Sequence, residues 1–231
     1  KQKKHIFDKS GIHFVPVSNW LAQRCRESSL LCGRPLTVIP NAVPVESFDW
    51  HRKGDASKKV MAMGAARLDD PVKGFGLMME AVNKIADDYP DKAPGVELLL
   101  FGNIRDESLL SNIRLPYKWI GTVSPERLPE LYRQCDVVVS SSHFETLPTT
   151  LVEGQAAGCL AVAFDHGGQS DIISHLDNGY LAAYPDTSDL AAGLLWAISQ
   201  NQDRERIHKG VADRFSEKVV AGRYVSLFDE V

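Results

Sequence analysis

The sequence predicts an α/β fold in which a parallel sheet is covered by helices on both faces. Short apolar runs of strand length, among them residues 60–63, 96–101, 137–140 and 159–164, recur along the chain. They are near-continuously apolar, as strands buried on both faces require. Segments of helical period separate them, and that alternation builds parallel rather than hairpin-connected sheets. At 231 residues, 44% hydrophobic and 24% charged, the chain suffices for one substantial domain, or one domain plus part of another.

In chain order, residues 12–17 read as a strand and 19–31 as an amphipathic helix capped by Ser18 or Asn19. Residues 36–39 read as a second short strand ending at Pro40. Residues 41–57, with turn-type prolines and mixed charge, read as a linker. From Lys58 the alternation becomes regular: strand 60–63, helix 75–89, strand 96–101, a polar helix near 105–113 and a short strand at 118–120. Ser124 followed by Pro125 opens a helix over 124–135, because proline at the first helical position loses no hydrogen bond. Strand 137–140, helix 147–157, strand 159–164, a short helix at 169–175 and strand 180–183 follow. Helices over 187–199, 203–215 and 216–231 complete the chain.

Composition narrows the function. A formal charge of −4, from 26 basic and 30 acidic residues, gives no global attraction to nucleic acid. Cys25, Cys32, Cys135 and Cys159 form no C-x-x-C pair, so they read as buried reduced thiols of a cytoplasmic protein. The seven histidines are dispersed and no H-E-x-x-H or D-x-D occurs, so no metal ligand is assigned. No apolar stretch is long enough to span a bilayer. The basic start, Lys1 to Lys4, lacks the apolar core of a signal peptide and the apolar face of a membrane-surface helix. With no initiator Met, the chain reads as a piece of a longer protein. The P-loop G-x-x-x-x-G-K-[ST] and the dinucleotide motif G-x-G-x-x-G are both absent, which argues against a P-loop NTPase and a standard NAD dehydrogenase.

Ligands of open α/β sheets sit at the carboxyl ends of the strands, so the strand-to-helix turns are the places to look. After strand 60–63, Gly64 and two alanines let a ligand approach the backbone, and Arg67 and Lys73 flank the turn. Such a cationic pair suits a diphosphate. Taken alone, the turn reads more readily as two solvated loop cations. After strand 137–140, Pro148 falls in the first turn of the next helix. The amides of Thr146, Leu147, Thr149 and Thr150 then point out of a helix N-terminus, a ready anion site. Glu153 lies one turn on, on the face of Thr149 and Thr150, where its carboxylate suits a ribose diol; Glu145 stands just before the helix.

Glu145 and Glu153 form an E-x7-E pattern, preceded by LYRQCDVVVSSSHFE and followed by AAGCLAVAFDHGGQSDII and NGYLA. This resembles the GT4 family of retaining glycosyltransferases, which have the GT-B fold of two Rossmann-like domains facing across a cleft. MGAARLDDPVKGF is similar to the family's strand with Arg and Lys-Gly, VIPNAVPVESF to its interdomain segment, and FVPVSNWLAQ to its last N-terminal-domain strand and helix. FSEKVVAGRYVSLF is similar to its terminal helix. The resemblance thus covers nearly the whole chain, in order. Thr146 stands where the family commonly has Gly, and NAV replaces the commoner NGV.

The resemblance implies a Rossmann-like domain that is the C-terminal half of a GT-B architecture. Residues 1–45 would be the tail of the N-terminal acceptor domain with the linker, and 46–231 the nucleotide-sugar-binding domain. Arg67 and Lys73 would hold the donor's diphosphate, Glu145 would face the sugar and Glu153 would bind the ribose. Gly64, the amides of Thr146, Leu147, Thr149 and Thr150, and Pro148 would line the phosphates. Gly102 and Val123 would lie near the nucleobase. Gly167 and Gly168 make a tight turn, with or without a ligand role. His143, His166, Trp119 and Trp196 read as packing residues.

The implied reaction is retaining transfer from a UDP- or GDP-sugar to a glycan or lipid-linked acceptor in bacterial polysaccharide biosynthesis, without a metal or other cofactor. The acceptor would bind through an N-terminal domain outside this chain, so the piece alone would be inactive. The implied location is cytoplasmic, with peripheral association at the inner face of the membrane left open. Two alternatives stand beside it: a non-catalytic nucleotide-sugar-binding module, and a sugar-nucleotide epimerase or phosphorylase of the same fold. The phosphorylase's pyridoxal lysine and the epimerase's own acid and base are not identifiable. Hydrolase-type work by the two glutamates conflicts with committing Glu153 to a ribose.

Overall fold

The computed structural model describes residues 5–7, 11–55 and 57–230. The basic start at Lys1 to Lys4 lies outside the described residues. Six strands form the sheet: β1 (Lys59–Arg67), β2 (Val96–Asn103), β3 (Tyr117–Trp119), β4 (Val137–Ser140), β5 (Leu160–Phe164) and β6 (Gly179–Ala182). Their order is β3-β2-β1-β4-β5-β6 and each pairing is parallel, so the sheet is Rossmann-like. The chain winds outward from β1 in both directions, which puts the topological switch point between β1 and β4.

The helices from Asn19 onward are α1 (Asn19–Glu27), α2 (Phe75–Asp88), α3 (Leu128–Tyr132), α4 (Thr149–Ala156), α5 (Thr187–Ser199), α6 (Arg204–Phe215) and α7 (Glu217–Glu230). The two-residue strand period sorts the sheet's side chains into two cores. Met61, Met63, Leu98, Leu100, Val137 and Val139 join α2 and α5 on one face. Ala62, Leu99, Phe101 and Val138 join α4 and α6 on the other. The helices start where their caps dictate. Ser18 accepts from the Leu21 amide, Asp186 from Ser188 and Asp189, and Asp203 from Arg206. No helix among the described residues is long and apolar enough to cross a membrane.

Several local expectations need correction. Residues 12–17 and 36–39 are not strands; they meet at one parallel bridge, Phe14 to Leu36. Pro16 and Pro35 lack the N–H groups that would extend the ladder. The linker assigned to 41–57 is packed structure, with Val43, Val45 and Phe48 buried and Val43 bridged to Ser216. The polar helix expected near 105–113 is the 3₁₀ turn Glu107–Asn112, and that expected at 169–175 is the shorter 3₁₀ turn Gly168–Asp171. The helix at 124–135 splits into a 3₁₀ turn, Pro125–Arg127, and the short α3, whose Pro129 brings a second missing donor. Cys135 and Cys159 are buried thiols, whereas Cys25 is half-buried and Cys32 exposed; all four are unpaired.

Candidate functional site

The exit turns of β1 and β4 meet at the switch point around a cleft of about 240 Å³. Gly64, Lys73 and Glu145 line it, together with Pro148, Thr149 and Thr150 at the start of α4. Each turn is held by the other. Gly74 sits in the left-handed region at φ 62°, and a Cβ there would lie 2.0 Å from the Ser141 carbonyl. Ser141 Oγ donates to the Lys73 carbonyl at 3.1 Å, and the His143 amide donates to the Val72 carbonyl at 2.8 Å. Lys73 is thereby fixed opposite Glu145, and Nζ donates to Oε1 at 2.6 Å. Ser142 Oγ donates to the same oxygen at 2.9 Å. Ser142 was not singled out from the sequence; its place three residues before Glu145 was the available signal.

Pro148 is the N-cap of α4 rather than a residue of its first turn, and it offers no side-chain acceptor. The amides of Thr149 and Thr150 therefore have neither an intrahelical partner nor a capping side chain, while Leu151 donates to the Pro148 carbonyl at 3.1 Å. Open amides, a helix dipole and Lys73 converge on one cleft, which suits an anion. Leu147 is buried behind it, while Thr146 is exposed. Gly64 is required by contact, since a Cβ there would lie 1.9 Å from the Phe101 ring.

Other candidate residues lie outside this cleft. Arg67 turns to the acids beside it: Nη2 donates to Asp70 at 2.9 Å, and Nε stands 3.5 Å from Asp69. Glu153 faces Tyr132, whose hydroxyl donates to Oε2 at 3.4 Å. It opens on a separate hollow of about 670 Å³ walled by Phe48, Pro125 and Leu128. Burial raises its pKa from 4.5 to about 7, with the Tyr132 hydrogen bond opposing weakly. Gly102, at φ 121°, is packed against the Ala65 carbonyl and donates to Gly121 O at 2.7 Å. Val123 packs half-buried against the α4 side of the core.

Gly167 and Gly168 do brace the site's backbone. The Gly168 amide donates to Glu145 O at 2.8 Å, and a Cβ at Gly168 would lie 1.9 Å from the Thr146 carbonyl. His143 and His166 both pack on Tyr184, His143 through a 2.7 Å hydrogen bond and His166 by stacking at 4.2 Å. Trp119 donates to Gly102 O at 2.9 Å and Trp196 packs near Tyr180. Among the described residues no cluster of His, Cys, Asp and Glu is arranged to hold a metal ion.

An all-parallel sheet in this order defines a Rossmann-like α/β domain, and the open helix start and lysine at its switch point suit an anion. The chain belongs to the family Glycosyl transferases group 1, whose sequence model matches residues 48–214. It is 27% identical over 237 residues to the phosphatidyl-myo-inositol mannosyltransferase of Mycolicibacterium smegmatis, covering 94% of this chain and 57% of that protein. It is 26% identical to the GPI3 subunit of phosphatidylinositol N-acetylglucosaminyltransferase from Saccharomyces cerevisiae, covering 94% of this chain and 50% of that one. The chain thus spans little more than half the length of these relatives. Among solved structures, a glycosyltransferase from Rickettsia africae matches with a TM-score of 0.83 at 21% identity, over 100% of this chain and 67% of that one. Anabaena HepE in complex with UDP and glucose matches with a TM-score of 0.74 at 18% identity, over 94% of this chain and 63% of that one. These two show the shared fold.

Proposed function

We propose that the chain is the donor-binding half of a retaining glycosyltransferase that moves a sugar from a nucleoside-diphosphate sugar to a glycan or lipid-linked acceptor. The observation that carries this reading is the 2.6 Å Lys73–Glu145 pair set over the uncapped start of α4. A diphosphate entering the cleft takes Lys73 over from Glu145 and meets the α4 amides. Glu145 is then free to accept hydrogen bonds from the donor sugar's hydroxyls. As the sugar–phosphate bond breaks, negative charge grows on the leaving diphosphate, and these preorganised donors stabilise it without a metal. Arg67 joins them by exchanging Asp70 for phosphate.

The HepE neighbour, solved with UDP and glucose, supports a nucleotide-sugar donor. The names of the curated relatives support a hexose donor and a lipid-linked acceptor. In this reading residues 46–231 hold the donor and 1–45 belong to the acceptor side. The complete enzyme works in polysaccharide or glycolipid synthesis at the cytoplasmic face of a membrane, and this piece alone binds donor without transferring it.

Calorimetric titration with UDP, GDP and ADP, without metal, tests the proposal. One nucleotide binds, and Lys73→Ala weakens it about 10-fold or more, as loss of a charge-assisted contact does. Binding that is unchanged by Lys73→Ala, or silence across all three nucleotides, rejects the site.

A further inference from the structure

The 3₁₀ turn Gly168–Asp171 joins the cleft to the N-terminal helix. Toward the cleft, the Gly168 amide holds Glu145 O at 2.8 Å, and Gly167 and Gly168 press so closely on residues 145–147 that neither has room for a Cβ. On its other side, the Asp171 carboxylate receives three donors from the first turn of α1. The Asn19 amide donates at 2.9 Å, Asn19 Nδ2 at 2.7 Å and the Trp20 amide at 3.3 Å.

The turn between these two contacts is packed into the interior. Gln169, Ile172 and Ile173 anchor it in the interior. From α6, Arg214 donates to the carbonyls of Asp171 and Ile172. Four residues of this turn thus separate the donors of α1 from the backbone of Glu145. A groove of about 620 Å³ runs beside this link, lined by Asn19, Trp20, Asp171 and Arg214, and it shares Leu147 with the cleft.

We propose that Asp171 is a positioning residue that couples the seating of α1 to occupancy of the Lys73–Glu145 cleft. Coupling is reciprocal: a diphosphate that fixes Glu145 and the start of α4 also fixes α1, and loosening α1 loosens Glu145. The inference rests on the reading of the cleft as a diphosphate site.

Hydrogen exchange of the full chain, with and without UDP or GDP at saturation as established by calorimetry, provides the test. The nucleotide that binds slows exchange of the α1 amides about 5-fold or more in the wild type, the lower end of ordinary coupling. In Asp171→Ala, which leaves no side-chain acceptor for the first turn of α1, the nucleotide still binds, because Lys73 and the α4 amides are intact, but the response of α1 disappears. Ser18→Ala, which removes the other cap of α1, speeds its exchange overall and leaves the nucleotide response in place. This separates coupling from simple fraying. Nucleotide binding with no response of α1 in the wild type, or with an equal response in Asp171→Ala, overturns the coupling alone. Binding of neither nucleotide removes the diphosphate site and the coupling together.

Discussion

Glu153 combines a charge that the sequence displays with an environment that it hides. Its pKa of about 7 in the folded chain lies above the ordinary 4.5 because burial disfavours the carboxylate. Between these values the native state holds the proton more tightly than the unfolded state, so stability falls as pH rises from about 4.5 to about 7. At roughly 1.4 kcal/mol per tenfold change in proton affinity, the loss is at most about 3.5 kcal/mol. Urea unfolding of wild type and Glu153→Gln across that range should show near-equal stability at the acid end and a more stable variant above about pH 7. If Glu153 receives a ribose diol, wild-type nucleotide affinity rises through the same interval and that of Glu153→Gln does not. Lys73, Arg67 and Glu145 are visible in the sequence as charged residues of the two strand-exit turns, where Lys73 and Arg67 by themselves read more readily as solvated cations. Only the fold pairs Lys73 with Glu145 and turns Arg67 to Asp69 and Asp70.

Among the elements, α4 matters most because it carries the site's amides. It lies close against β4: a Cβ at Gly154 would stand 2.5 Å from Val138 Cγ1, a branched side chain held at its own position in the sheet. Gly154→Ala must push the helix off the strand. We expect a loss of about 1–3 kcal/mol by urea unfolding, the usual cost of overpacking, although alanine is the better helix former. Stabilisation instead would mean that β4 yields. The long, strongly periodic elements, such as α2 and α5, were readable because their buried faces repeat with the helical period. The short ones were not. Residues 105–113 and 169–175 carry helix-like polarity, but they tighten into 3₁₀ turns where Asp106 caps Ser108 and where Gly168 must meet Thr146.

Across the whole molecule, residues 41–57 fasten the N-terminal part to the sheet through a buried charge. Asp136 is 3% exposed; Arg52 grips it through two nitrogens at 3.0 Å each, and the Val60 amide donates to it at 2.9 Å. Arg52→Ala leaves that carboxylate with Lys59 at 3.7 Å as its nearest remaining cation. We expect a loss of about 3–5 kcal/mol, the range for breaking a buried pair, and Asp136→Asn in the same background should recover part of it. A loss below ~1 kcal/mol by urea unfolding would mean that Lys59 and water replace the arginine. The α/β class, the strand and helix alternation and the two turns where chemistry could lie can be read from the residues alone, because apolar period and turn residues are local properties. Tertiary structure alone decided which turns meet, since strand order is not written in any one segment. It paired Lys73 with Glu145 across the switch point, turned Arg67 toward its own acids and set Asp171 under α1. The Lys73–Glu145 and Asp171–α1 contacts join residues far apart in the chain, and their geometry exists only once the sheet has closed between them.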